Sequence, residues 1–580
     1  MEPPPPPIPA PTGSSLSLGA DNMARAASDE WKSARTRLTD AIGSYLTACS
    51  SLRTTCATAL YQSPRNATVE EILANVAYEL GYLASEEIKL RGVRILLTEM
   101  RNTSVALAPI NMLPDEILAH VLDLSTPCCA RDSEKQIVFH DLAAVCKRWR
   151  RVTMNATNLW AHIDVGPDTP VGLSMLLLER TRDSPICIHV YEPEYHDPRE
   201  LEYDEPCKST PADQINKVLE VLKPHMHRVY TLDINSPHSD TDLTAFVLNL
   251  WLCCSSPGLT RSLLIYCPEA NYPVLDSEEN TTVMRLTVPD NADNTLRSLS
   301  TTHLSGVMFG WNSSVYHGLV DLRIGGNSAV SWENTISTSR FAEILSASPA
   351  LAVLKLKNLA ISQPEGWTQT APILMNHLSV LNLGTMDPDN GLDMLLPLIG
   401  LPQSLPDISV SVVLCHKEQN GLYAFLARSK ITILCCKYSY PPEPFQLPPR
   451  HLTENLRTLI LPRMKITKTS ANKENLSFLQ PPPIPNHPLS VILLDCTVSF
   501  EGLKEFISNN HIQQLRLDRC MTLVKGLHHF WHSSEDLREI QDQLMKTYPH
   551  LQCNVSKTDS TSQWPCRTMS DTARFYDGFP

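Results

Sequence analysis

The sequence predicts a mixed architecture: an α-helical hairpin, then a small helical unit, then an irregular αβ repeat array. Three observations predict it. Apolar positions recur at helical spacing from Trp31 to Leu97, two short amphipathic stripes follow between Asn111 and Trp160, and the pattern L-x-x-L-x-L returns six times after residue 318.

Residues 1–24 hold the run Pro3 to Pro7 with three serines and two glycines, so they are expected to be disordered, a spacer or a polyproline II ligand. From Trp31 the positions Trp31, Ala34, Leu38, Ala41, Tyr45, Ala48 and Leu52 step by 3 and 4 and predict a helix. After Pro64, Thr68 and Glu71 form a capping box. Val69, Leu73, Val76, Leu80, Leu83, Leu90 and Leu97 then carry a second helix. The short connection makes an antiparallel coiled-coil-like hairpin over 25–104 the natural arrangement, and an intermolecular coiled coil would use the same seam.

The third segment, 108–162, begins Leu113-Pro114-Asp115-Glu116-Ile117-Leu118. Pro114 suits a first helical turn, where its missing N–H is no loss, and Ile117, Leu118, Val121 and Leu122 fall on one stripe. A second stripe of Val138, Leu142, Val145, Trp149 and Val152 predicts a second helix, which contains Val145-Cys146-Lys147-Arg148-Trp149-Arg150 and precedes Leu159-Trp160. Amphipathic spacing alone would suit any packed helical pair. The joint occurrence and order of these motifs resemble an F-box. The charged stretch Ser125 to Gln136 is longer than the family pattern and reads as a solvated insertion. A helical hairpin running into Leu-Pro is similar to what precedes the F-box-like domain in many proteins of mushroom-forming fungi.

Beyond residue 162 helix-like and strand-like pieces alternate: Leu173 to Arg182 before Ile186 to Val190, and Ile215 to Leu222 before Val229 to Ile234. The repeat then sharpens at Leu319, Leu322, Ile324; Leu351, Leu354, Leu356, Leu359; Leu378, Leu381, Leu383; Leu456, Leu459, Leu461; Leu489, Ile492, Leu494; and Ile512, Leu515, Leu517, Cys520. The steps Leu354 to Leu381 and Ile492 to Leu515 are 27 and 23 residues, inside the span of a leucine-rich repeat. Each such unit buries its leucines only against its neighbours. Unrelated buried strands are the alternative, and the helical signals Phe341 to Leu345 and Gly502 to Ile507 between copies favour an irregular leucine-rich-repeat-like solenoid over 163–553. The acidic stretch Glu192 to Glu205 and the proline-rich runs Pro441 to Pro449 and Pro481 to Pro488 read as insertions, and 554–580 as an irregular tail.

Composition narrows the function. A net charge of −13 over 580 residues argues against a general nucleic-acid binder. The seventeen cysteines include no C-x-x-C, so neither a disulfide framework nor a zinc ribbon is expected. No apolar run is long enough to span a membrane, and the start lacks a signal-peptide pattern, so a cytoplasmic or nuclear protein is expected. Phosphate-loop, dinucleotide, nucleophile-elbow and zincin motifs are absent from the sequence, and neither His225 and His227 nor Cys415-His416 has further ligands at diagnostic spacing. No catalytic residue, cofactor or metal is expected.

The F-box resemblance implies the substrate receptor of an SCF-type cullin-RING ubiquitin ligase, docked on a Skp-type adaptor and through it on a cullin. The alternative is a non-catalytic scaffold acting outside a ligase. By match to the motif, Leu113, Pro114, Ile117, Leu118, Val121, Leu122, Val145, Cys146 and Trp149 are the expected adaptor contacts. Some of them must be core, Trp149 foremost. Lys147, Arg148, Arg150 and Arg151 form a basic cluster that suits either a solvated face or an acidic adaptor surface. An unknown protein substrate is expected on the strand face of the array, where Arg323, Lys355, Asn382, Arg457, Arg516 and Asp518 stand between framework leucines and are expected to point outward. An acidic or phosphorylated segment would complement this mostly basic set.

Overall fold

The computed structural model describes residues 16–62, 67–103, 109–125, 139–192, 211–236, 241–267, 274–275, 292–326, 335–364, 366, 371–384, 391–402, 408–414, 420–438, 455–466, 489–510, 512–522 and 534–556. Apart from Ser125 and Glu192, the expected insertions lie outside them, as do the proline-rich runs and all but the first three residues of the expected tail. The chain forms two compact units, Met1–Leu113 and Pro114–Pro580.

The first unit is built on two long helices, α1 (Leu16–Gln62) and α2 (Ala67–Thr103). Helix α1 begins well inside the segment expected to be irregular, because the prolines stop at Pro11 and Leu16, Leu18, Ala20, Met23 and Ala24 are competent helix formers. Helix α2 begins at Ala67, which puts Thr68 inside the first turn and not ahead of it. The chain doubles back between the two, and the Tyr45 hydroxyl donates to Glu79 Oε1 at 2.6 Å. The expected apolar seam is not closed, however. Trp31, Leu38, Leu52, Leu73, Val76, Leu80, Leu83, Leu90 and Leu97 are all exposed, while the half-buried positions of α2 include Ile72, Glu79 and Glu86.

Among the described residues the second unit opens with three short helices, α3 (Asp115–Ser125), α4 (Phe139–Val145) and α5 (Lys147–Asn155). A 3-10 turn, Thr157–Trp160, leads directly into the strand His162–Val165. Among the described residues that strand is the first of fourteen in one all-parallel sheet whose spatial order is the chain order. Helices such as Val171–Thr181, Pro211–Leu222, Thr338–Ala347 and Phe500–Asn510 make returns between strands, as parallel pairing requires. Alternate strand residues, among them Ile163, Ile188, Leu232, Leu322, Leu354, Leu381, Val410, Leu459 and Leu515, feed one continuous core beneath the helices. The region is an αβ repeat.

Two strands, Ser409–Leu414 and Ile433–Tyr438, fill the gap between the third and fourth sequence copies. One copy is corrected by a single residue. Val491 and Leu493 face the core and pair with Leu459 and Leu461, so Ile492 and Leu494 lie on the opposite face. The run Val491 to Leu494 is apolar throughout and has no alternation to fix its register.

A backbone feature recurs where strands end. Gly306, Asn358, Arg463, Asp495 and Arg519 each follow a strand of the main sheet with φ between 50° and 72°, and each precedes by two residues a short second strand: Met308–Phe309, Ala360–Ser362, Lys465–Ile466, Thr497–Val498 or Met521–Thr522. The left-handed residue turns the chain off the sheet while its N–H still reaches the next strand, as Arg463 N to Leu494 O (2.8 Å) and Asp495 N to Asp518 O (3.0 Å) show. The Cys496 thiol, one residue on, donates to Leu461 O at 3.1 Å, and Cys520 repeats this with Leu493 O at 3.3 Å.

Candidate functional site

Helix α3 has two unlike faces. Leu118 and Leu122, one turn apart, are buried with Leu142, Val152 and Leu159 in a small core. Ile117, Val121 and Leu124 share the adjacent face and are exposed, Ile117 to 48%. Of the expected adaptor contacts, then, Leu118 and Leu122 are internal, whereas Ile117 and Val121 are on the surface beside Leu124, which sequence reasoning did not select. The exposed Pro114 gives its carbonyl to Leu118 N–H at 2.9 Å, starting the helix. Leu113 is half-buried at the end of the first unit.

The stripe expected to form one helix forms two. Cys146 is extended (φ −160°, ψ 170°), and its sulfur accepts the Trp149 N–H at 3.4 Å, so Cys146 caps α5 and divides it from α4. The break turns Val145 outward, and Trp149 becomes half-buried, less enclosed than its size predicted.

The basic cluster is largely committed within the domain. Arg148 donates to Asp115 Oδ1 through Nε (3.0 Å) and Nη2 (2.8 Å), and Arg151 donates to Oδ2 at 3.0 Å. The Arg148 bond, helped by Arg151, holds the Asp115 carboxyl below its usual range. Asp115 also opens α3, where the helix dipole favours a negative charge. Arg150 Nε donates to Ala143 O at 3.0 Å, across the break between α4 and α5. The Asp of the Leu-Pro-Asp motif thus ties α3 to α5, a pairing 33 residues apart that sequence spacing could not reveal.

No linker separates this domain from the array. Trp160 Nε1 donates to Thr153 O at 2.8 Å, the Arg180 guanidinium lies 5.7 Å from the Trp160 ring centre, and Ser184 Oγ donates to Thr157 Oγ1 at 2.7 Å. The domain that carries the exposed face of α3 thus runs directly into the first strands of the sheet.

On the sheet, Arg323, Lys355 and Asn382 are neighbours in register on three successive strands. Arg516 stands beside Ile492 in the same row farther along, and the exposed Arg457 immediately precedes its strand. The expectation that all six point into solvent is corrected: Lys355 and Asp518 are each only 1% exposed. Neighbouring strands flank them, Arg323 and Asn382 beside Lys355 and Leu494 and Ser556 beside Asp518. Much of the charge is neutralised internally. Arg323 donates to both oxygens of Asp321 at 2.9 and 2.7 Å, His303 Nε2 lies 3.3 Å from Asp321 Oδ2, and Arg516 Nε donates to Asp518 Oδ1 at 2.8 Å. Burial alone would raise the Asp321 carboxyl, but His303 and Arg323 outweigh it and hold it at about 2. Burial pushes His303 down, against the opposing pull of Asp321. Sequence reasoning missed His303 and Asp321. The signal was there in part, since His303 and Asp321 each stand next to a core leucine, Leu304 and Leu322, on their strands.

Among the described residues no cluster of three metal-ligating side chains occurs, and no described helix is long and apolar enough to cross a membrane. No curated protein matches the chain. Residues 110–165, the three short helices with their cap, their Asp115 clamp and the strand they lead into, match the family model described as F-box-like, and the chain carries an F-box-like domain.

Proposed function

We propose that this protein is a substrate-recognition subunit of an SCF-type cullin-RING ubiquitin ligase. The F-box-like domain docks on a Skp-type adaptor, and the leucine-rich-repeat-like array holds the protein to be ubiquitinated. The observation that carries this reading is the exposed apolar face of α3, Ile117, Val121 and Leu124, within a domain that matches the F-box-like family. Apolar side chains lined up on the surface of so small a domain are what a hydrophobic hot spot for a partner needs. Pro114, Leu113, Val145, Cys146 and Trp149 complete the adaptor-facing set, while Leu118 and Leu122 support it from below. The chain performs no bond chemistry itself. It raises the effective concentration of substrate beside a charged conjugating enzyme, and the direct join between domain and array keeps that geometry fixed.

On the array, the strand face bearing the half-buried Arg323, Asn382 and Arg516 and the exposed Arg457 is the proposed substrate contact, and its ligand an acidic or phosphorylated segment; the enclosed Lys355 and Asp518 lie outside that contact. Arg457 is the exposed member of the set. The test is a pull-down of the full chain with purified adaptor and cullin. Ile117→Asp with Val121→Asp should remove adaptor and cullin together, because carboxylates would be buried without partners, at native far-UV circular dichroism. Undiminished capture refutes the docking face, and adaptor captured without cullin supports a scaffold outside a ligase instead. Arg457→Glu should lower capture of the remaining partners while the adaptor stays.

A further inference from the structure

Helix α2 carries a solvent-exposed stripe whose order reads the same in both directions. Leu73, Val76, Leu80, Leu83, Leu90, Val93, Leu97 and Met100 step by 3, 4, 3, 7, 3, 4 and 3 residues. All eight are between 38% and 69% exposed. Among its described residues the helix, about 55 Å long, exposes thirteen large apolar side chains, these eight among them and Tyr78, Tyr82, Ile88, Ile95 and Leu96 beside them, more than scattered surface leucines account for. The charges of the helix are segregated as well. Glu70, Glu71, Glu79, Glu86 and Glu87 fill the first half without a base, whereas Lys89, Arg91, Arg94 and Arg101 fill the second with Glu99 as the single acid.

We infer that α2 is an antiparallel homodimerisation helix, its exposed stripe covered by α2 of a second copy of this chain. A two-fold axis between Glu86 and Glu87 sets Leu73 against Met100 of the second copy, Val76 against Leu97, Leu80 against Val93 and Leu83 against Leu90. An interface of this kind is self-complementary by symmetry: if position i meets j, then j meets i. The same alignment lays each acidic half along the basic half of the other copy, which a parallel alignment would not do, since it would set acid against acid and base against base. The glutamates at the axis are already neutralised within their own helix. Lys89 Nζ lies 2.7 Å from Glu86, and Arg91 Nη2 lies 3.6 Å from Glu87. The open contact between α1 and α2, joined at Tyr45 and Glu79, leaves this face available. The apolar positions also shift gradually around the helix, as a left-handed two-stranded supercoil requires. The occupant is thus specified by the symmetry of the stripe and by the opposed charge halves together. A different partner would need neither the palindromic spacing nor the internal sign change.

The test is sedimentation equilibrium of the full-length chain over a micromolar range, with far-UV circular dichroism to confirm folding. The expected mass is twice 64.7 kDa. Leu83→Asp with Leu90→Asp, at positions exposed within one copy, should raise the dimer dissociation constant at least about a hundredfold. Arg101→Glu, which would face Glu70 and Glu71 of the second copy, should weaken the dimer about tenfold, and adding Glu70→Lys and Glu71→Lys to it should restore the original affinity. A monomer mass for the unmodified chain at every concentration overturns the inference. So does a dimer indifferent to Leu83→Asp with Leu90→Asp, and so does a triple charge variant that stays as weak as Arg101→Glu alone.

Discussion

Asp321 gathers most of what is unusual on the strand face. It accepts from Arg323, lies within reach of His303, and is held at about 2 although burial opposes ionisation. Its folded value lies below that of an exposed carboxyl, so the stability it contributes is fully present above about pH 4 and is lost as the pH falls toward 2. The magnitude is on the order of 2 kcal/mol. His303 acts in the same sense at higher pH. Its folded value is depressed by burial, so unfolding takes up a proton that the folded state resists, and stability falls as the pH drops below the ordinary histidine range near 6.5. Urea midpoints at pH 7.5, 5.5 and 3.5 should therefore decline stepwise. His303→Asn should flatten the first step, and an unchanged first step would show that His303 does not cause it. Asp115 differs in kind: it is ionised by the same sort of arginine contact but is open to solvent, so its value lies in joining α3 to α5.

At the scale of elements, the left-handed residues after the strands are the clearest structural demand. Glycine meets it without strain at Gly306, and Asn358 and Asp495 are tolerant choices, but Arg463 and Arg519 carry a Cβ that this conformation disfavours. Arg519 recovers part of the cost through a 2.7 Å ion pair with Asp495. Arg463→Gly should stabilise the array by up to about 1 kcal/mol, read as a higher urea midpoint at unchanged slope. Arg519→Gly should gain less, because the ion pair goes with it. A midpoint that falls for Arg463→Gly would mean that its side chain does more than occupy a turn.

At the scale of the molecule, the chain has two compact units. The F-box-like domain and the array share one unit, while the long helices form the other. Deleting residues 16–103 should therefore leave adaptor capture unchanged while removing self-association, and the pull-down and sedimentation readouts separate the two. Loss of adaptor capture on that deletion would show that the helices support the domain directly.

Much of this was legible in the residues themselves. The order of segments follows from local chemistry: a proline run at the start of the chain ahead of Leu16, helical spacing through α1 and α2, Leu-Pro-Asp at the start of α3, and alternating strands with helical returns beyond residue 162. These depend on neighbours a few positions apart, which sequence displays. The break at Cys146, the one-residue register of Val491 and Leu493, and the division of α3 between Leu118 and Ile117 depend instead on what stands opposite each residue. An apolar stripe records that a face is buried or available and does not say which. The clearest case is the strand face, where alternation correctly separated Lys355 from the core leucines but could not foresee its burial, because enclosure is set by residues from other strands. Period and propensity act along the chain. Partner, register and exposure are decided across it, by packing between elements that sequence distance keeps apart.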